Sequence, residues 1–287
     1  MRFMQSLKLN IKWYLLATLF LANFFIWNSI FIETRNKILT VAFLDIGQGD
    51  AIFIEAPNGN QVLIDGGANK SVLRQLSKVM PFYDRSIDVV IATHPDKDHI
   101  GGLPDVLRRY AVDFILESGA KNDTGISRAF ESVISQNKIK RIFAKRGMVV
   151  TLDDGVFLNI LFPDRDVSDV ESNTASIVIQ LVYKNTEFML TGDSPKMIEE
   201  YLVFLDGEKL RSDVLKAGHH GSKTSSAQIF LGFVSPKYSV ISAGVNNSYG
   251  HPHKEVIEML NQFNSVILNT QDRGTIIFKS DGESVNY

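Results

Sequence analysis

All six histidines of this 287-residue chain fall in three short clusters, at residues 94–99, 219–220 and 251–253. Each cluster follows an apolar run typical of a buried β-strand, and α/β sheets build their sites at the carboxyl ends of strands. Histidines on an ordinary surface would be scattered along the chain. Their grouping therefore predicts one site that several strands build together.

The first cluster carries the densest set of candidate ligands. Residues 94–102 read HPDKDHIGG, which places two imidazoles and two carboxylates within six residues, at the end of the apolar run 87–94. Neutral imidazole and carboxylate together suit zinc, iron or manganese. A polar surface turn with chance histidines is the alternative interpretation.

A further aspartate follows another apolar strand, in the turn Thr191-Gly192-Asp193. If the loops hold two neighbouring cations, Asp193 is the candidate bridging ligand. Two cations about 3.5–4 Å apart lower the pKa of a shared water and bind a phosphoryl or carbonyl oxygen. An imidazole that binds no metal can then protonate the leaving group or bind the developing oxyanion. The residues therefore predict metal-dependent hydrolysis.

The pattern after residue 37 alternates strand-like and helical segments. Helices are predicted over 71–79, 103–110, 127–137, 195–205, near 226–233 and over 253–263, with two short strands closing the chain. Strand runs followed by βα units, twice over, predict two packed sheets with helices outside. The composition is globular (45% hydrophobic, 22% charged), and the absence of cysteine excludes disulfides and thiolate metal sites. We expect one catalytic domain over residues 38–287.

The N-terminal segment predicts a membrane anchor over residues 1–37. Residues 13–32 form 20 residues without a formal charge, about the length that spans a bilayer. Arg2, Lys8 and Lys12 precede the segment and a mixed flank follows it, which predicts a single-pass protein of a bacterial-type cell membrane with its domain outside the cytoplasm. A cleaved signal peptide and a buried core helix are the alternatives.

The motifs together resemble the metallo-β-lactamase superfamily of hydrolases, and within it the β-lactamase-like domain of ComEC-type competence proteins. The resemblance runs from about residue 39 to the C-terminus. Its motifs are FLDIGQGDA at 43–51, LIDGG at 63–67, the loop 94–102, the turn 191–193, LKAGHHGS at 215–222 and YGHP at 249–252. The resemblance implies a four-layer αββα sandwich with a dinuclear site at one edge.

The resemblance also implies roles for individual residues. The metal ligands would be His94 and Asp96 at a first position, Asp98 and His99 at a second, Asp193 between them, and His220 as the last ligand. The catalytic residues would be Asp98, His219 facing the substrate, and His251 binding phosphate or acting as general acid. The roles of His219 and His220 can be exchanged, because adjacent histidines are poorly separated by spacing alone.

A further set of residues is expected to bind substrate or to support the ligands from behind. It comprises Asp45, Gln48, Asp50, Asp65, Asn173 and Ser222. For the first three, a turn held by aspartate side chains is the alternative. Asp65 would be a carboxylate that hydrogen-bonds to a metal ligand, or a cap at the end of a strand. His253 is interpreted as the N-terminal residue of a helix.

The chain departs from the common superfamily pattern at two points. Asp96 replaces the more usual histidine, and the loop 164–176 has no histidine, so the third ligand of the first metal is missing. Asn173 or Ser176 would offer only neutral oxygens there. We therefore expect two divalent ions, manganese or zinc with magnesium possible, because oxygen ligands favour the harder cations.

Together with the motifs, the resemblance implies a metal-dependent phosphodiester hydrolase, a tethered extracytoplasmic nuclease that acts on DNA through a metal-activated water. DNA-uptake or envelope components are the expected partners, and the oligomeric state is left open. The residues Lys138, Lys140, Arg141, Lys145 and Arg146 form a basic cluster that would bind DNA or remain a solvated face.

Two alternatives come from other classes of protein. One is a phosphorylcholine esterase or another small-substrate metallohydrolase, for which Tyr249 is one candidate wall of an aromatic cage. The other is a non-catalytic, membrane-anchored partner protein that kept the fold. Hydrolysis of β-lactams is disfavoured because the ligand set differs.

Overall fold

A computed structural model describes residues 2–35 and 37–287, with side chains for residues 11–29 and 37–287. It divides the chain into two compact units, Met1–Ile38 and Leu39–Tyr287. The first unit is the helix α1 (Arg2–Arg35), whose described side chains are exposed. The second unit contains every sheet of the described chain.

The described part of the chain does not show the membrane-spanning helix that the sequence predicts. Within the described part of the chain, no helix combines the length and the hydropathy that crossing a bilayer requires. The flanking residues Arg2 and Lys8 lie outside the described side chains, as does the end of the segment at 30–32.

The second unit is built from fifteen strands and eight helices over residues 39–287. The strands are β1 (Leu39–Phe43), β2 (Ile52–Glu55), β3 (Gln61–Ile64), β4 (Ser86–Ala92), β5 (Ala111–Glu117), β6 (Lys140–Phe143), β7 (Val149–Asp153), β8 (Val156–Phe162), β9 (Val178–Tyr183), β10 (Thr186–Leu190), β11 (Val214–Lys216), β12 (Tyr238–Ile241), β13 (Val266–Asn269), β14 (Ile276–Ser280) and β15 (Val285–Asn286). The helices are α2 (Ser71–Val79), α3 (Lys97–Ile100), α4 (Leu103–Arg109), α5 (Gly125–Asn137), α6 (Lys196–Asp206), α7 (Gln228–Val234), α8 (Lys254–Gln262) and α9 (Thr270–Arg273).

The strands form two mixed sheets. One has the order β15-β14-β1-β2-β3-β4-β5-β6, and the other β13-β12-β11-β10-β9-β8-β7. Strands β3 to β6 run parallel in the first sheet, as do β10 to β13 in the second. Each sheet therefore has a parallel half whose carboxyl ends carry connecting loops, which is where α/β proteins build their sites.

Alternating side chains divide the apolar residues among three cores. In β1, Val41 and Phe43 pack between the two sheets, whereas Ala42 faces the other side. That outer face of the first sheet is covered by α2, α4 and α5 through residues such as Leu76 and Phe130. The outer face of the second sheet is covered by α6, α7 and α8. The order helix, sheet, sheet, helix confirms the predicted αββα sandwich.

The sequence analysis did not predict two of the strands. Strand β7 lies at the edge of the second sheet, and Leu152 is its single fully buried side chain, so its sequence carries little periodicity. The C-terminal region contains three strands, β13 to β15, where two were expected. The helix predicted over 71–79 is found with those bounds, because Val72, Gln75 and Leu76 form one buried face.

Candidate metal centre

Loops from both sheets meet at one edge of the sandwich. The first sheet contributes Asp65 after β3 and the loop 94–99 after β4. The second contributes Asp193 after β10 and the turn Gly218–Gly221 after β11. The backbone joins the two sides, since the Ile177 amide before β9 donates to the Thr93 carbonyl after β4 at 3.0 Å. The site is therefore assembled across the two sheets.

Four buried side chains form an inner group at this edge. Asp50, His99, Asp193 and His220 each offer a ligand atom, and these atoms all lie within 4.8 Å of one another. The Nε2 atoms of His99 and His220 lie 3.3 and 3.4 Å from the same oxygen, Oδ2 of Asp193. Three of these residues were predicted as ligands, whereas Asp50 was expected only to support the site or the substrate.

The inner group fits a divalent cation. The Nε2 atoms of His99 and His220 and Oδ1 of Asp193 are buried without a hydrogen-bond partner. Such atoms cost free energy unless something binds them. Asp98 adds a fourth donor, because its Oδ2 lies 3.3 Å from Nε2 of His220. Imidazole nitrogen and carboxylate oxygen are the donors that zinc and manganese accept.

A carboxylate stands behind each histidine of the inner group. Nδ1 of His99 lies 2.8 Å from Asp65, whose oxygens also accept hydrogen bonds from the amide and hydroxyl of Thr93 at 2.8 and 2.7 Å. Nδ1 of His220 faces Oδ1 of Asp50 at 3.3 Å. Both carboxylates favour the tautomer that carries its proton on Nδ1, which leaves Nε2 free to bind a cation.

Lys216 completes the inner group, and the sequence analysis missed it. The side chain is fully buried at the end of β11, its ammonium contacts Asp50, and it lies 3.5 Å from the Gly192 carbonyl. Lysine is almost never buried without a partner. The available signal was a lysine that closes the apolar strand three residues before His219.

An outer position lies beside the inner group and is less complete. The rings of His94 and His99 are 4.0 Å apart, and Nε2 of His94 lies 3.8 Å from Asp96. Oδ1 of Asn173 is buried without a hydrogen-bond partner. Nδ1 of His94 contacts the hydroxyl of Ser176 at 3.2 Å. Among the described residues, no third histidine or carboxylate joins this position to form a second ligand group.

Asp96, the carboxylate of the outer position, already accepts hydrogen bonds from two neutral side chains. Oδ1 of Asp96 accepts hydrogen bonds from the Ser172 hydroxyl at 2.7 Å and from the Asn122 amide at 3.2 Å. These contacts fix Asp96 on the rim of the site. The first metal position of the prediction therefore combines one imidazole, that of His94, and one carboxylate, that of Asp96.

The adjacent histidines point in different directions. Both adopt left-handed backbone angles, with φ of 48° at His219 and 55° at His220. Non-glycine residues rarely adopt this region, and its strain is typical of functional sites. His220 is buried against Asp193, whereas the side chain of His219 is 25% exposed and lies 3.7 Å from Asp193. This geometry favours His220 as the ligand and His219 as the substrate-facing residue.

His251 lies over the histidine pair from the loop after β12. Its ring centre is 5.5 Å from that of His219 and 6.3 Å from that of His220, and Tyr249 stacks on it at 5.7 Å. Asn247 holds the loop, because its side chain accepts from the His251 amide and donates to the His251 carbonyl. His251 is thus a second imidazole on the open side of the inner group.

The electrostatics differ between the two positions. Burial lowers the pKa of His220, but Asp193 and Asp50 outweigh burial and raise it to about 10. Burial also lowers the pKa of His99, but the charges of Asp193 and Asp65 outweigh burial and raise it. Burial lowers the pKa of His94 to about 4, with His99 adding to the effect. The inner histidines hold protons that a cation must displace, whereas His94 is already neutral at pH 7.

Burial and neighbouring imidazoles also act on the open side of the site. Burial lowers the pKa of His251 to about 4, and His219 and His220 reinforce the shift. Burial likewise lowers the pKa of His219. Burial raises the pKa of Asp98, but the nearby His220, whose Nε2 lies 3.3 Å from Oδ2, and the charge of His99 outweigh burial and lower the pKa to about 2. Neutral imidazoles and an ionised carboxylate therefore surround the entrance at neutral pH.

The remaining predicted residues lie in the supporting loops. Oδ1 of Asp45 accepts from the Gly47 amide at 3.4 Å, the contact expected of an aspartate-held turn. Oε1 of Gln48 accepts from the Gly244 amide at 3.2 Å and so links the loop after β1 to the loop after β12. The Ser222 hydroxyl accepts from Thr224, whose own hydroxyl lies 3.1 Å from Nδ1 of His219.

Comparison with known sequences identifies relatives of this chain. The Metallo-beta-lactamase superfamily profile matches residues 44–245. ComE operon protein 3 of Bacillus subtilis is 31% identical over 83% of this chain and 33% of its own length. Competence protein ComA of Neisseria gonorrhoeae is 30% identical over 91% of this chain and 35% of its own length. The chain spans about a third of the length of these curated relatives.

Comparison with solved structures agrees on the fold. The metallo-beta-lactamase fold protein YhfI from Bacillus subtilis matches with a TM-score of 0.58 and 13% identity, over 85% of this chain and all of that one. A metallo hydrolase from Ignicoccus hospitalis matches with a TM-score of 0.54 and 17% identity, over 83% of this chain and 98% of that one. The chain therefore belongs to the metallo-β-lactamase superfamily, and its sequence is similar to the competence proteins over this domain.

Proposed function

We propose that this chain is a phosphodiester hydrolase that requires a divalent metal and acts as a nuclease on DNA. One observation supports the proposal above all others. His99, His220 and Asp193 bring buried ligand atoms that have no hydrogen-bond partner close together. The similarity to competence proteins supports DNA as the substrate. The extracytoplasmic location and the partners in DNA uptake or the envelope stay predictions from the sequence.

The side chains divide into a holding group and a substrate-facing group. His99, His220, Asp193 and Asp98 would hold one cation, and His94 and Asp96 would hold a second. Divalent cations bound there would supply the positive charge that activates water and stabilises phosphoryl oxygens. Asp65 and Asp50 orient the two inner histidines from behind.

His219 and His251 are the groups that meet the phosphodiester. Both are neutral at pH 7, so each imidazole can donate a hydrogen bond through one nitrogen and accept through the other. Nδ1 of His251 is buried and has no hydrogen-bond partner. A phosphoryl oxygen that accepts from these rings would be held over the inner group. A ring that first accepts a proton from the attacking water can then pass it to the leaving oxygen.

The test is hydrolysis by the full-length chain with manganese, zinc or magnesium added in turn. The substrates are bis-p-nitrophenyl phosphate and linear single- and double-stranded DNA. The matched variants are Asp98→Ala at the site and Asp105→Ala, an exposed aspartate of α4. We expect metal-dependent cleavage of DNA that Asp98→Ala abolishes and Asp105→Ala retains.

Other outcomes would overturn the proposal in distinct ways. Turnover of the small ester with DNA left intact would indicate a small-substrate phosphoesterase, for which the exposed Tyr249 stacked on His251 would form one wall of the substrate site. Absence of metal binding in a folded protein would leave a non-catalytic partner protein.

A further inference from the structure

A cavity of about 370 Å³ opens beside the outer position of the metal centre. His94 and Pro95 of the metal loop form part of its wall. Asn122, on the same wall, donates the hydrogen bond to Asp96 that fixes the rim of the site. The volume lies within the range of small-molecule sites. We propose that this cavity binds an unpaired nucleotide next to the phosphodiester that is cleaved. This inference rests on the proposed function.

The walls of the cavity are apolar and include an exposed aromatic ring. Ala92, Ile100 and Phe130 line the interior, and Phe143 stands at the mouth with 59% of its surface exposed. Gly119 lies against this ring, and a Cβ there would be 3.3 Å from it. The positive φ of 87° suits glycine, which leaves the ring's neighbourhood open. An exposed planar ring beside an apolar cavity is the arrangement on which a nucleobase stacks.

A charged pair provides polar groups within the cavity. Nε of Arg141 donates to the buried carboxylate of Glu117 at 2.6 Å, and the guanidinium also binds Glu131. The guanidinium carbon lies 5.8 Å from the centre of the Phe143 ring. Carboxylate and guanidinium groups recognise the donor and acceptor edges of bases. Two members of the predicted basic cluster are paired with acids, since Arg146 binds Asp206.

Cations continue the surface beyond Phe143. A second depression of about 460 Å³ shares Gly119, Lys121 and Phe143 with the first, and adds Lys145 and Arg165. Phe143 therefore stands between two depressions, with lysines beside it. Aromatic rings for the bases and lysines for the phosphates are the components of single-strand binding surfaces. A paired base in a stacked duplex cannot enter the cavity unless it first leaves the stack.

The first test measures binding without turnover. Anisotropy of fluorescein-labelled oligothymidylate is recorded with the full-length chain in EDTA, using Phe143→Ala, Phe143→Trp and the control Phe82→Ala. Phe82 is 84% exposed and lines neither depression. We expect about tenfold weaker binding for Phe143→Ala, recovery for Phe143→Trp, and wild-type binding for Phe82→Ala. Equal affinities of wild type and Phe143→Ala would overturn the proposal.

The second test separates the cavity from the nuclease function. With manganese added, Phe143→Ala should raise the KM for single-stranded DNA more than it lowers kcat. If the wild type cleaves DNA and Phe143→Ala has an unchanged KM, the cavity proposal is wrong and the nuclease proposal stands. If the wild type cleaves no DNA but binds the oligonucleotide through Phe143, the nuclease proposal is wrong, and of the cavity proposal only the binding of an unpaired nucleotide stands.

Discussion

The inner and outer positions of the metal centre lie side by side but are built differently. The inner position takes its donors from loops of both sheets, and Asp65 and Asp50 support its histidines. The outer position relies on His94 and Asp96 from one loop, with the neutral hydroxyl oxygen of Ser176 against the His94 ring. Ionised donors bind divalent cations more strongly than neutral oxygens do. The comparison predicts that the inner position binds its ion first and more tightly.

The largest effect is expected from the residue nearest to both inner histidines. Asp193→Asn removes the charge that lies 3.3 and 3.4 Å from the Nε2 atoms of His99 and His220. Metal affinity should fall by more than the 10- to 100-fold that is typical for a supporting residue, and hydrolysis should be lost with it. Isothermal titration calorimetry measures the affinity. A variant that retained tight binding would show that Asp193 is not a ligand.

A large loss of stability is expected when Lys216 is neutralised. Lys216→Met removes the ammonium that contacts the buried carboxylate of Asp50 and leaves it only the His220 ring, which should cost up to about 3–5 kcal/mol of unfolding free energy. The exposed Lys254→Met is the control and should change stability by less than about 0.5 kcal/mol.

The double variant tests the mechanism of that loss. Asp50→Asn combined with Lys216→Met removes both charges, so it should recover part of the lost stability in urea unfolding. If Lys216→Met alone lowers the free energy of unfolding by no more than Lys254→Met does, the buried pair does not stabilise the inner position.

The sequence predicted the residues that lie at strand ends, but it did not predict the buried charged pair that supports the inner position. Histidines at strand ends were sufficient to predict that residues 94–99, 219–220 and 251–253 meet at one site, because periodicity places strand ends without knowledge of packing. The strand and helix pattern predicted two packed sheets with helices outside, and the family resemblance implied the αββα order. The pairing of Lys216 with Asp50 was not predictable, since it joins the end of β11 to a loop between β1 and β2 of the other sheet. Burial of a charge depends on such tertiary contacts, which local patterns do not encode.

The two positions should respond differently to pH. The raised pKa values of His99 and His220 stabilise the metal-free protein below about pH 6.5, and this contribution is lost as pH rises toward 10. Cation binding displaces those protons, so affinity at the inner position should increase with pH across this range. His94, with its pKa lowered to about 4, releases no proton at pH 7, so the outer position should change little.

Calorimetry in buffers with different ionisation enthalpies measures this proton release. We expect about two protons for the first ion bound at pH 7 and fewer for the second. Equal proton release at both steps would contradict the assignment of the first ion to His99 and His220.

The smallest effect is expected from improving the outer position. Asn173→His places an imidazole where the amide oxygen of Asn173 is buried without a partner. The second ion should bind more tightly by about tenfold, or about 1.4 kcal/mol, while the first is unaffected. Asn261→His, on the helix α8, is the control. An unchanged second affinity would show that residue 173 does not reach the outer ion.

The most direct test of unequal positions is the metal content of two single variants. His94→Ala and His99→Ala are dialysed against limiting manganese or zinc, and bound metal is counted by mass spectrometry. The predicted result is that His94→Ala keeps one tightly bound ion whereas His99→Ala loses it. Loss of the tight ion from His94→Ala, with retention in His99→Ala, would contradict the account.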